Sequence, residues 1–458
     1  MPVTGFRSIV FGLGVLLSLS VCALGRSDAP AAKPGFVVLC PYAWMPQFAA
    51  YIKFRSADFD ARCVAVEDIT ATGPGVDAPE RIKRFLYREW REHNLRYALL
   101  VGDASTFPVR WMVLDRNTEP AFNYAFYACD LYYANLARAD GSFDDWNAQK
   151  EGFHAGYFGE VRGEHFKVPP INYDNISYVP QIGVGRWPVS TPAELDAVIA
   201  KTLEWERLDH SGPPRVLLAH SGGWIDARAQ VGALGDALAK IGWDTERQYW
   251  DGTPTKLSPA SIKASILAGK DMVLHAGHGS DQVWDGTLGP AERDALAVAT
   301  PAIFFSVGCG TAHFATEPPY NAYLDTAGFL HRGTDNGEVF KAEPPPPAPL
   351  QPGRFSSWGL GTRLVTMPRG GAIAYIGCNT GAQPCGMSLL EGFVRSIAGG
   401  STRVGDAWKD AVAYYWKAEK LPDLVPTEDW YPPSIFFQGM KFMFYGDPTA
   451  SIPRAPHK

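Results

Sequence analysis

The chain has no basic run. Its 42 Lys and Arg are outnumbered by 48 Asp and Glu, giving a formal net charge of -6. A nucleic-acid partner is therefore excluded, since no Lys/Arg patch faces a phosphate backbone. Past the first 25 residues it has no apolar stretch near the roughly 20 residues that a helix needs to cross a bilayer. It has no short-period repeat, which excludes stacked-repeat architectures. Cysteine is sparse, seven in 458 residues. What remains is ordinary globular composition, 46% hydrophobic and 20% charged, enough apolar mass for one large or two medium domains. Fourteen Trp and 25 Phe suit large packed interiors, with some aromatics left to line a groove.

The N-terminus has the pattern of a targeting segment. Arg7 supplies a positive start, Ile9 to Val21 is apolar but short for a span, and Val21-Cys22-Ala23 and Ala23-Leu24-Gly25 are small-residue cleavage sites. Residues 1–25 are expected to be a signal peptide and 26–34, rich in Ala, Pro and Ser, a disordered linker. Export to the periplasm, cell envelope or exterior follows. Leu19-Ser20-Val21-Cys22 also has the shape of a lipoprotein box, so lipid anchoring at Cys22 is the second expectation. Cys40 and Cys63 lie on apolar runs, and Cys378 and Cys385 are close enough in sequence to bridge.

Short apolar runs alternate with helical spacing. GFVVLC (35–40), RCVAVE (62–67), YALLV (97–101) and QIGVGR (181–186) read as strands, and Pro79 to His93 as an amphipathic helix. The pattern restarts after Ser211-Gly212-Pro213-Pro214 with RVLLA (215–219), helices over 227–241 and 258–267, and GAIAYI (371–376). Such alternation predicts an α/β fold with parallel strands flanked by helices. It divides the chain into an N-terminal α/β subdomain, 35–210, and a second subdomain, 213–458. The second is interrupted by a Pro-rich insertion, 315–354, expected to form a lid or exosite.

One stretch concentrates reactive groups. Met272 to Leu274 lead into His275-Ala276-Gly277-His278-Gly279-Ser280, and Ala302 to Val307 lead into Gly308-Cys309-Gly310. In open α/β sheets the ligand crevice lies beyond the carboxyl ends of the strands. Neighbouring strands would deliver His278 and Cys309 to one crevice as a candidate acid/base and nucleophile. His275, His278, Cys309 and His313 also permit a zinc reading, but residues three apart on a strand point to opposite faces, so His275 and His278 converge poorly.

Six motifs in order make the chain resemble the gingipain-type cysteine peptidases of the caspase-like group. They are Leu99-Leu100-Val101-Gly102-Asp103, Asp130-Leu131-Tyr132-Tyr133-Ala134, Val184-Gly185-Arg186-Trp187-Pro188, Gly277-His278-Gly279-Ser280 with Trp284, Phe305-Ser306-Val307-Gly308-Cys309, and Tyr445-Gly446-Asp447-Pro448. The resemblance implies a caspase-like three-layer α/β/α catalytic domain of two subdomains with mostly parallel sheets. It implies Cys309 as nucleophile, His278 as general acid/base, and an oxyanion hole from the N–H groups of Gly279 and Cys309. The gingipains place an orienting carboxylate just before the Gly-Arg strand; here that position falls on Gln181, which can hold an imidazole but cannot balance the charge of imidazolium.

Trp284 is a candidate wall of the specificity pocket, and Asp281 and Glu317 are candidate partners for a basic substrate side chain. No cofactor is needed for the chemistry. The gingipains use structural calcium, and Asp140, Asp144 and Asp145 are its candidate ligands here. The reading is an exported cysteine endopeptidase acting on protein or peptide through a thioester acyl-enzyme. Its alternatives are a catalytically silent relative binding peptide or polysaccharide, and a transpeptidase using the same acyl-enzyme.

Overall fold

Alternate side chains of the central strands feed two separate cores. In β1 (Gly35–Cys40), Val37 and Leu39 pack into one core and Phe36, Val38 and Cys40 into the other. A strand buried on both faces must carry helices on both, and it does. The helices Ala78–Glu92, Arg228–Lys240, Gly386–Ala398 and Val404–Ala418 cover the first face, while Ala49–Arg55, Pro192–Trp205, Pro259–Leu267 and Leu360–Thr366 cover the second. The result is the three-layer α/β/α arrangement that the two-faced apolar runs require. This computed structural model describes residues 32–114, 125–147, 150–162, 168–251, 257–353, 359–428 and 431–455. The expected signal peptide, Cys22 and most of the linker lie outside the described residues.

The remaining central strands are β2 (Asp60–Ala65), β3 (Leu95–Val101), β4 (Gly183–Trp187), β5 (Arg215–His220), β6 (Asp244–Tyr249), β7 (Met272–Ala276), β8 (Ala302–Val307), β9 (Ala372–Cys378) and β10 (Phe442–Gly446). They form one ten-stranded sheet in the order β2-β1-β3-β4-β10-β9-β8-β7-β5-β6. Every neighbouring pair is parallel except β9–β10. The two halves read from the sequence therefore share a single sheet, in which β10 of the second half runs with the first half's strands and the other second-half strands run opposite. The edge strands β2 and β6 are the polar, half-exposed ones, as befits strands with one unpaired side. No helix among the described residues is long and apolar enough to cross a membrane.

The Pro-rich insertion lies against the first half. Val109 N–H donates to Pro349 O at 3.0 Å, Trp111 Nε1 to Ala348 O at 3.1 Å, Tyr157 OH to Pro344 O at 2.6 Å and Phe126 N–H to Pro318 O at 2.7 Å. Pro344 and Pro347, three residues apart, are both buried, matching the three-residue turn of a polyproline helix laid on a surface. The insertion's carbonyls are tied to residues 109–111, 126 and 157, next to the hairpin Trp111–Leu114/Ala125–Ala128, so at these points it is fastened to the first half.

Candidate active site

The carboxyl ends of β5, β7, β8 and β9 lie side by side at one end of the sheet. Each is followed by a turn of small residues, and four such turns leave a cleft. Its cavity is about 60 Å³, and Ala276 and Val307 line it together with His220, the 222–225 loop, His278, Cys309 and residues of the 382–387 segment. His278 and Cys309 are thus brought together on one cleft. His278 is exposed and Cys309 half-buried. The Cys309 thiol lies 3.6 Å from Ala382 O.

The backbone carrying both groups is clamped. His278 N–H donates to Gly222 O at 3.1 Å, and His278 O accepts from Asp285 N–H at 3.1 Å. Gly310 N–H, just past the cysteine, donates to Thr380 O at 2.6 Å. Gly279 has to be glycine, because a Cβ there would come 2.6 Å from Thr311 Cγ2 and 3.4 Å from Cys309 O. The Cys309 N–H has no acceptor among the described residues.

Beneath the loop runs a neutral network. His275 is fully buried between two serines, its Nε2 2.9 Å from Ser221 Oγ and its Nδ1 2.9 Å from Ser306 Oγ. Its ring stacks on Trp284 at 4.3 Å with 4° between planes. Burial pushes its pKa down to about 3, with nearby His220 adding to the shift, so it stays uncharged. It ties the ends of β5, β7 and β8 together without a charge.

Several expected site residues fall elsewhere. Trp284 is fully buried, stacked on His275 with its Nε1 donating to Tyr375 OH at 3.2 Å, so it is a core support and not a pocket wall. Gln181 does not reach the imidazole. Its Oε1 accepts from Leu136 and Ala137 N–H at 2.6 and 3.0 Å, and its Nε2 donates to Ala137 and Val179 O at 3.1 and 2.9 Å. Both lone pairs and both hydrogens of the amide are committed, which corrects its orienting role. Asp281 and Glu317 are outside the cleft lining and converge on His313, 3.7 and 3.9 Å from its Nδ1.

The calcium triad does not assemble. Asp140 Oδ1 accepts from Ser142, Asp145 faces Asn147 and Lys150, and buried Asp144 binds Ser177 with Arg138 at 3.5 Å. Each carboxylate serves a different partner, and no group of three His, Cys, Asp or Glu that could hold a metal is present among the described residues. The residues do not fit the ion. All six described cysteines are free, including Cys378 and Cys385, so the expected bridge is absent. Reading the sequence missed His220 and the 222–225 and 382–387 segments. Their signal was available, since His220-Ser221-Gly222-Gly223 and Cys378-Asn379-Thr380-Gly381 repeat the pattern of strand followed by small-residue turn.

The comparisons with known proteins agree with this geometry. The model of Peptidase family C25 matches residues 29–343, more than half the chain and including both cleft residues. The chain belongs to Peptidase family C25, the gingipain family of cysteine peptidases. The crystal structure of the Arg-specific cysteine proteinase gingipain R superposes with a TM-score of 0.61 at 14% identity, covering 93% of this chain and 80% of that one. The complex of the pro- and mature domains of Porphyromonas gingivalis RgpB gives 0.58 at 13%, covering 92% and 81%. At such identities the likeness establishes the caspase-like fold. No curated protein sequence matches the chain.

Proposed function

We propose that this C25 peptidase is an exported cysteine endopeptidase that hydrolyses peptide bonds with a Cys309–His278 dyad. The observation that carries the reading is the shared cleft, which both side chains line, with a Cys309 N–H that has no acceptor among the described residues. The thiol gives its proton to His278, and Sγ attacks the peptide carbonyl carbon. The oxyanion is met by the N–H groups of Cys309 and Gly279, held by a clamped backbone and so needing little reorganisation. The C–N bond breaks as His278 protonates the departing amine. Water then gives a proton to His278 and adds to the thioester carbon, and the C–S bond breaks to release the acid. No side chain among the described residues hydrogen-bonds the His278 ring, so the reading is a dyad held by backbone.

The test is peptide hydrolysis by Cys309→Ala, His278→Ala and the double variant. Each single change should lower kcat/KM at least about a thousandfold, and the double should be no worse, since groups acting as a unit are non-additive. Hydrolysis retained by Cys309→Ala, in protein free of contaminating protease, overturns the mechanism. Export rests on the N-terminal pattern, and the intact mass of protein recovered from a native-like host tests it.

A further inference from the structure

The cleft beside Cys309 has a chemical character of its own. A thiolate bonds the carbonyl carbon of the residue it acylates, and that residue's Cβ is only two bonds from that carbon. Its side chain must therefore enter whatever cavity adjoins both Sγ and the imidazole. Here Ala276, Val307, Ala227, Pro384 and Met387 line that cavity, with His220 and Gln383 as further polar members. At its rim stand Trp224 and Ile225, 62% and 39% exposed, two large apolar side chains that the fold leaves uncovered.

No carboxylate lines it among the described residues. The nearest acid in sequence, Asp226, is already neutralised. Arg228 donates to it through Nε at 2.8 Å, Nη2 at 2.6 Å and its own N–H at 3.1 Å, and His220 Nε2 stands 3.8 Å away. Asp281 and Glu317 face His313 instead. A guanidinium or ammonium entering this cleft would lose water and gain no counter-charge, while an acid would meet apolar walls. Burying an unpaired charge is costly, and burying an apolar side chain is favourable.

We infer that this peptidase cleaves after uncharged, apolar residues and rejects basic ones, unlike the Arg-specific proteinase whose fold it shares. The inference rests on the dyad reading above. Arg228 supports it, because Asp226, the acid between the lining residues Ile225 and Ala227, is already paired with it.

The experiment is a set of fluorogenic tetrapeptides differing only in the residue before the scissile bond, assayed with the full chain, alongside iodoacetamide labelling of Cys309. The expected result is kcat/KM at least about tenfold higher for Leu, Met or Ala than for Arg, Lys, Asp or Gln. In Arg228→Ala the Arg-to-Leu ratio should rise about fivefold as Asp226 is released, the scale of an exposed ion pair. Preference for Arg, Lys, Asp or Gln overturns the inference and leaves the dyad standing. A Cys309 that alkylates while no peptide is cleaved overturns the inference together with the endopeptidase reading beneath it.

Discussion

The two halves of the sheet are built from the same strand–helix alternation, yet they end their loops in opposite ways. On the β1–β4 side the conspicuous polar groups are buried ion pairs. Arg186 binds Asp130 through Nε and Nη2, both at 2.7 Å, and donates to Gly102 O at 2.9 Å; Arg55 joins Asp447 and Glu206. On the β5–β9 side the strand ends carry no such pair at the cleft. The Ser221–His275–Ser306 chain is neutral, and His278 has no side-chain partner. The first half holds these two buried arginines in carboxylate pairs. The second leaves the Cys309 N–H and the His278 ring without hydrogen-bond partners among the described residues, as a site needs if charge is to develop there during reaction. Four of the six motifs that carry the family resemblance, around Gly102, Asp130, Arg186 and Asp447, supply those buried pairs and their partners.

The contrast is broken most severely by Asp130→Ala. It leaves the Arg186 guanidinium buried without its carboxylate and should cost about 3–5 kcal/mol in urea denaturation. Cys309→Ala, a half-buried thiol at a loop, should cost less than about 1 kcal/mol. Equal losses would mean that the cleft is as much a keystone of the fold as the ion pair.

A second test uses pH. His275 is held near a pKa of about 3 by burial, against an ordinary value of 6.5. As pH falls below 6.5 the unfolded chain takes up a proton that the folded chain refuses. Stability is therefore present above pH 6.5 and lost between 6.5 and 3, by about 2 kcal/mol at pH 5. Denaturation midpoints against pH should show this slope, and His275→Gln should flatten it. A slope unchanged in that variant would assign the acid sensitivity to other groups.

The smallest effect sharpens the dyad. Gln181→Glu removes the two bonds that Nε2 donates, at a half-buried site where water substitutes in part, so the loss should be about 1 kcal/mol. The pH–rate profile should not move. A shifted profile would return this position to the imidazole.

The strands were legible because their composition is extreme. GFVVLC and AIFFSV are buried on both faces, and only an interior parallel strand needs such a run. That His278 and Cys309 would line one cleft was legible because glycine turns after such strands mark the crevice. Sheet direction was not, since one antiparallel contact between Ala372–Cys378 and Phe442–Gly446 is made by residues that adjoin only in the fold. The roles of Trp284, Gln181 and the aspartates were misread for one reason. Each type can serve a site or a scaffold, and only its partners decide between them. DTERQY was missed as a strand because an edge strand carries too few apolar residues to announce itself.

The most direct measurement of the central claim is site-resolved alkylation of the native protein by iodoacetamide, followed by mass spectrometry. Burial raises the thiol pKa of Cys129, and pushes Cys378 and Cys385 up to about 12, while Cys40 on β1 and Cys63 on the edge strand β2 touch at 3.4 Å. Cys309 opens into the cleft beside His278. It should therefore be modified first, at least about tenfold faster than Cys129, Cys378 or Cys385, and more slowly in His278→Ala. A Cys309 that stays unmodified while Cys63 or a buried thiol reacts, or whose rate ignores His278, would contradict the account.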